Sequence, residues 1–177
     1  MQQSFLFSPD TAPATEYVVR KGPVVEGWTA AAATNPSDQP DATDITRGSV
    51  RLLDTLGFRA LTEMRLTSGR RVDAIGLDGR GRFAVVEVKS SLADLRADEK
   101  WPEYLPFCDW FYFAVAPDFK LDALPESTGI IIADRYGGEV VRPSAATPMT
   151  SAARRRQTLL FAHTASARLS RLLESGL

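Results

Sequence analysis

Three residues of this chain are of the types that hold a hard cation and act on a phosphate: Asp73, Glu87 and Lys89. Asp73 lies in Arg-Val-Asp-Ala-Ile-Gly-Leu (residues 71–77). Glu87 and Lys89 close Arg-Phe-Ala-Val-Val-Glu-Val-Lys (residues 82–89), after a Gly-rich turn. The second run is apolar and β-favouring enough for the inside of a sheet, so its two charges need compensation there. Side chains two apart on a strand share a face, which lets Glu87 and Lys89 meet Asp73 from the neighbouring strand. Two carboxylates and an ammonium converging on a sheet make a hard-cation site, with Lys89 left for a phosphate or a water nucleophile. The competing reading is a Glu87–Lys89 ion pair on a solvated edge strand, and the flanking valines argue against it.

The hairpin register tests the idea, because antiparallel partners have residue numbers of constant sum. A two-residue Asp78-Gly79 turn pairs Leu77 with Arg80, an odd sum that sends Asp73 and Glu87 to opposite faces. A three-residue loop, Gly79-Arg80-Gly81, pairs Asp78 with Arg82, an even sum that also sets Asp73 against Glu87. That loop type wants glycine at its last position, which Gly81 supplies. We therefore expect Gly81 at positive φ and both carboxylates on one face.

Around these residues the chain resembles a known family. Asp73 followed by Glu87-Val88-Lys89, after a helix and an extra strand, resembles the D…ExK signature of the PD-(D/E)XK nuclease superfamily. Asp98-Glu99-Lys100-Trp101-Pro102-Glu103-Tyr104 and Phe111-Tyr112-Phe113-Ala114-Val115 narrow the resemblance to the MmcB family of bacterial DNA-repair proteins, from about residue 45 to the C-terminus. The resemblance implies an α/β fold with a restriction-endonuclease-like core (αβββαβ), a mixed sheet flanked by helices. It also implies metal-dependent hydrolysis of DNA phosphodiesters, with Mg²⁺ (or Mn²⁺) on Asp73, Glu87 and the Val88 carbonyl, and Lys89 as the catalytic residue that orients the attacking water or offsets charge developing in the transition state. Many superfamily members add a Glu near the start of the first helix. Here that region offers Thr46 and Arg47, and neither Asp44 nor Asp54 obviously takes the place. Glu63 is a secondary candidate for the missing acid, although an even-length turn through Thr67-Ser68-Gly69-Arg70 would face it away from Asp73. The crossover helix of the superfamily commonly contributes a polar or basic residue, which makes Lys100 a further candidate. The rival function is a nuclease-like module that binds DNA or a repair partner without cutting.

The elements that must position these residues are legible from periodicity. Ile45, Leu52, Leu53 and Leu56 fall on one face of a helix over 43–56, with Asp41 or Thr43 as cap and Gly57 as stop. Strands are expected over 60–66, 110–115, 130–133 and 139–142. Pro102 and Pro106 break residues 92–108 into two short helical pieces, with Trp101 in the core. The passage from Val88 to Phe111 implies a parallel pair of strands. A last helix over 151–173 is expected to turn Leu159, Ala162, Ala165, Leu169, Leu172 and Leu173 inward. Arg154, Arg155 and Arg156 at its start read as a solvated face or a DNA contact.

At 177 residues, 44% hydrophobic, the chain suits one domain (43–177) plus an extension (1–42). It has no bilayer-length apolar run and no signal-peptide pattern at the N-terminus, so a cytoplasmic location is expected. The single Cys108 excludes an intrachain disulfide, and a zinc site is not supported. Formal net charge is -1, but residues 1–42 hold five acids and two bases, so the rest is slightly basic. Any DNA contact must then come from a local patch. The extension, rich in Pro, Ala, Thr and Asp, reads as a flexible arm. Ahead of it, Gln3-Ser4-Phe5-Leu6-Phe7 resembles the peptide by which bacterial repair proteins dock on the sliding clamp, where Gln3 would satisfy polar groups beside a pocket filled by Leu6 and Phe7. An apolar tail packing on its own domain is the alternative.

Overall fold

The computed structural model describes residues 39–176. The arm up to residue 38 and the peptide containing Gln3, Leu6 and Phe7 lie outside the described residues. Helix α1 (Ala42–Thr55) opens with Asp41 as its cap, whose side chain accepts from the Asp44 amide at 2.8 Å. It ends at Gly57, whose φ of +83° only glycine adopts freely. The strands β1 (Phe58–Arg65), β2 (Arg71–Asp78) and β3 (Phe83–Lys89) follow, then α2 (Leu92–Ala97), a 3₁₀ segment (Trp101–Phe107), β4 (Trp110–Val115), β5 (Gly129–Ala133), β6 (Gly138–Arg142) and α3 (Ser151–Ser175).

The six strands form one mixed sheet in sequential order. β1–β2, β2–β3 and β5–β6 are antiparallel, whereas β3–β4 and β4–β5 are parallel, as a helical crossover between Lys89 and Trp110 requires. The expected core of helix, three strands, crossover and strand is present, and it is a restriction-endonuclease-like arrangement. Apolar side chains fill both faces. Ile45, Leu52 and Leu53 of α1 pack on Ala74, Val86, Ala114 and Ile131. Tyr104 and Phe161 pack with Val85, Phe111 and Phe113 on the other side. Trp101 stacks on Phe111 at 5.5 Å between ring centroids, which places it in the core as expected. Cys108 is buried, and burial pushes its thiol pKa up to about 12. Among the described residues no helix is long and apolar enough to cross a membrane.

α3 differs from its periodicity. Leu159, Leu169, Leu172 and Leu173 are more than half exposed, Ala162 is exposed, and the buried residues are Gln157 and Phe161. Polar anchors set the helix's rotation. Arg154 donates to both carboxylate oxygens of Asp109 and to the Gly81 carbonyl, and Arg168 donates to the carbonyls of Thr62 and Glu63. A leucine stripe without such partners loses the competition for the inner face. Arg154 is thereby structural rather than a DNA-facing cation, while Arg155 and Arg156 are exposed.

Candidate active site

The β2–β3 hairpin adopts the three-residue loop. Gly81 has φ +78°, Asp78 N donates to Arg82 O at 3.0 Å, and the ladder runs from Leu77↔Phe83 to Ala74↔Val86. Asp78 also ties the loop from within, accepting from the Arg80 and Arg82 amides. The ladder stops one pair short of Asp73 and Glu87. Beyond it the Asp73 carboxylate, not a main-chain carbonyl, takes the Val88 amide at 2.8 Å. At that point, between the sheet and α1, a cavity of about 870 Å³ opens, lined by Glu63, Asp73, Glu87, Val88 and Lys89 from the strands and by Thr46 and Arg47 from α1. Asp73 and Glu87 therefore converge where the hairpin ladder ends.

The charges there are tightly coupled. Glu87 is 8% exposed and Lys89 4%. Lys89 Nζ lies 3.4 Å from Glu87 Oε1 and 2.6 Å from Asp98 Oδ2. Burial disfavours the Lys89 ammonium, but Asp98 and Glu87 more than offset this and its pKa is raised. Asp98 responds in the opposite sense: burial opposes its charge, yet the bond from Lys89 holds its pKa low. Glu87 is pushed up to about 8, first by burial and then by repulsion from Asp73, with Lys89 opposing. Asp73 is raised as well, by burial and by Glu63, against the stabilising Val88 amide.

Glu63 reaches this cleft by a route the turn chemistry left open. Thr67-Ser68-Gly69 forms a three-residue loop, closed by Leu66 N to Arg70 O at 2.7 Å with Gly69 at φ +85°. The register is therefore even, with Thr62↔Ala74 and Met64↔Val72 flanking Glu63 and Asp73. The four-residue turn that would have faced Glu63 away is not formed. Glu63 itself has φ +51°, which among the described residues is seen at no other non-glycine. That conformation costs about 1–2 kcal/mol, and Arg168 holds both carbonyls of the kink at 2.6 and 2.9 Å. The Glu63 carboxylate pairs with Arg71 Nε at 2.7 Å.

Lys100 is exposed, does not line the cavity, and gives only its amide to Asp98 Oδ1. The crossover contribution comes instead from Asp98, two residues earlier, which sequence reasoning missed. The only available signal was its position in the Asp-Glu-Lys-Trp stretch, and a carboxylate there had no visible partner until Lys89 was folded against it.

The donor set fits a hard divalent cation. Every ligating atom available is oxygen, the two carboxylates repel one another, and Glu87 Oε2 is buried with no hydrogen-bond partner among the described residues. Among the described residues no three His, Cys, Asp or Glu side chains converge closely enough to hold an ion by themselves. Asp73 and Glu87 would thus be completed by a carbonyl such as Val88's, by water and by substrate oxygens.

No curated protein matches the chain. A solved structure of a Silicibacter pomeroyi protein of unknown function is similar, with 37% identity, a TM-score of 0.73, and coverage of 76% of this chain and 92% of that one. A family model described as DNA repair protein MmcB-like matches residues 29–176. With the D…ExK residues gathered at one cleft of the expected core, this match identifies the chain as a member of the MmcB-like family of DNA repair proteins.

Proposed function

We propose that this chain is a metal-dependent DNA phosphodiester hydrolase acting in repair, with Asp73, Glu87 and Lys89 as its catalytic residues. The observation that carries the reading is the buried Glu87 carboxylate, with one oxygen lacking a partner, beside Asp73 and a buried ammonium in an open cleft. Asp73, Glu87 and the Val88 carbonyl would hold Mg²⁺ or Mn²⁺. When bound, such an ion polarises a phosphoryl oxygen and lowers the pKa of a coordinated water. Asp73 is kept in place by the Val88 amide, so one of its oxygens is oriented before substrate arrives. Lys89, charged because Asp98 and Glu87 face it, orients the attacking water or offsets negative charge developing on the phosphate. The test is a cleavage panel over single-stranded, duplex, flap and branched DNA with and without Mg²⁺. Asp73→Asn should fold normally and lower cleavage by at least about a hundredfold. Wild type that cuts no faster than Asp73→Asn rules the assignment out.

A second reading, a nuclease-like module that binds DNA or a repair partner without cutting, is favoured by one observation: α1 presents Thr46 and Arg47 to the cleft and no acid. On that reading no DNA form is cut, and Asp73→Asn binds DNA as well as wild type or better. Docking on the bacterial sliding clamp through Gln3, Leu6 and Phe7 is proposed from sequence alone.

A further inference from the structure

The cleft does not end at the acids. A second cavity of about 550 Å³ continues it along α1, sharing Val50 and Arg51 with the first and ending at Arg59 and Tyr136. Arg47, an exposed residue 3.7 Å from Asp44, lines the first cavity, and Arg51, one turn further along α1, lines both and has no ion pair among the described residues. Arg59, 78% exposed, is paired with Asp54. Tyr136 at the far end is 70% exposed.

An exposed tyrosine on a turn is ordinary by itself, but this one is built in. The Asp134 side chain accepts from the Tyr136 and Gly137 amides at 2.7 and 3.1 Å. Gly48 of α1 lies so close beneath the turn that a Cβ there would stand 2.0 Å from Asp134 O and 2.3 Å from Gly137 O. Arg135 reaches back to Asp44 of α1 at 3.3 Å and stands 5.9 Å from the centre of the Tyr136 ring. The turn that carries the ring is thus fixed to the helix that carries the arginines, at the end of the groove that leads from the acids.

We propose that this groove is a track for a single-stranded nucleic-acid segment, with backbone phosphates on Arg47 and Arg51 and an unpaired base stacked on Tyr136. This rests on the reading of the cleft as a DNA site and narrows its substrate to strands with an unpaired stretch. A base inside a duplex has both faces occupied by its neighbours, so only an unpaired base offers a free face to the tyrosine ring. The arginines supply the sequence-independent, salt-dependent part of the binding.

The test is fluorescence anisotropy of a labelled oligonucleotide with the full chain in EDTA, so that binding is read without cleavage. Wild type should bind the single strand more tightly than the blunt duplex of the same sequence. Tyr136→Ala should weaken single-strand binding about tenfold without altering its salt dependence, and Tyr136→Phe, which keeps the ring, should match wild type. Arg51→Ala should flatten the slope of log Kd against log salt by about 0.7. Equal affinity of Tyr136→Ala and wild type, equal loss in Tyr136→Phe, tighter binding of duplex, or no binding by wild type would each overturn the track. Mg²⁺-dependent duplex cleavage unaffected by Tyr136→Ala would overturn the track and leave the hydrolase standing. Tyr136-dependent single-strand binding without cleavage would do the reverse.

Discussion

Replacing Glu87 by Gln removes a buried titratable carboxyl while keeping its shape, and the consequence can be followed through pH. The carboxyl has a pKa near 4.5 when the chain is unfolded and about 8 when folded, because burial and Asp73 outweigh Lys89. Between those values the folded protein holds a proton that the unfolded chain has lost. The resulting stability is fully present below about pH 4.5 and falls as pH rises towards 8. A shift from 4.5 to about 8 at 1.36 kcal/mol per unit sets a ceiling near 5 kcal/mol. Relaxation of the open cleft and entry of water return part of that, leaving on the order of 3 kcal/mol. At about 2–4 °C per kcal/mol for a domain of this size, metal-free wild type should lose roughly 6–12 °C of Tm between about pH 5 and about pH 9 that Glu87→Gln does not lose. Lys89 does not confound the comparison, since its raised pKa keeps it charged throughout. Mg²⁺, which competes with the same proton, should recover the wild-type loss at high pH and do little for the variant. Thermal melts followed by circular dichroism in EDTA and in Mg²⁺ give the readout. Parallel Tm–pH curves for the two proteins would refute the buried-carboxylate account.

Lys89→Ala strands Asp98 as a largely buried carboxylate without its ammonium, so it should cost about 3 kcal/mol in urea denaturation, partly restored by adding Asp98→Asn. It should keep Mg²⁺ binding and lose cleavage, and unchanged stability would show that the Asp98 pair is not formed. Arg168→Ala removes two donors from the Thr62 and Glu63 carbonyls, and should cost about 1–3 kcal/mol with faster amide exchange in β1 around Glu63. Protection equal to wild type would mean that the kink stands without its anchor. A peptide of residues 1–10 should bind bacterial sliding clamp, and Leu6→Ala with Phe7→Ala should abolish binding by emptying the apolar pocket. Equal binding by both peptides would end the clamp proposal.

What the sequence determined by itself was whatever neighbouring residues decide among themselves. Gly81 at the end of its loop selected the hairpin register, Asp41 and Gly57 bounded α1, and the prolines divided the crossover, because turn type, capping and periodicity are properties of a few adjacent residues. The grouping of Asp73 and Glu87 followed from that register. The tertiary structure decided the rest. Thr67-Ser68-Gly69-Arg70 is compatible with either parity, and only pairing of β1 along β2 chose the one that brings Glu63 beside Asp73. The choice between Asp98 and Lys100 depended on where an irregular segment meets the buried Lys89, which no local pattern encodes. In α3 the leucine periodicity pointed the wrong way, because Asp109 and the carbonyls of the Thr62–Glu63 kink, distant in sequence, bind arginines on another face. A buried carboxylate or carbonyl must find a donor, whereas an exposed leucine costs little, so the long-range polar bonds set the helix's orientation.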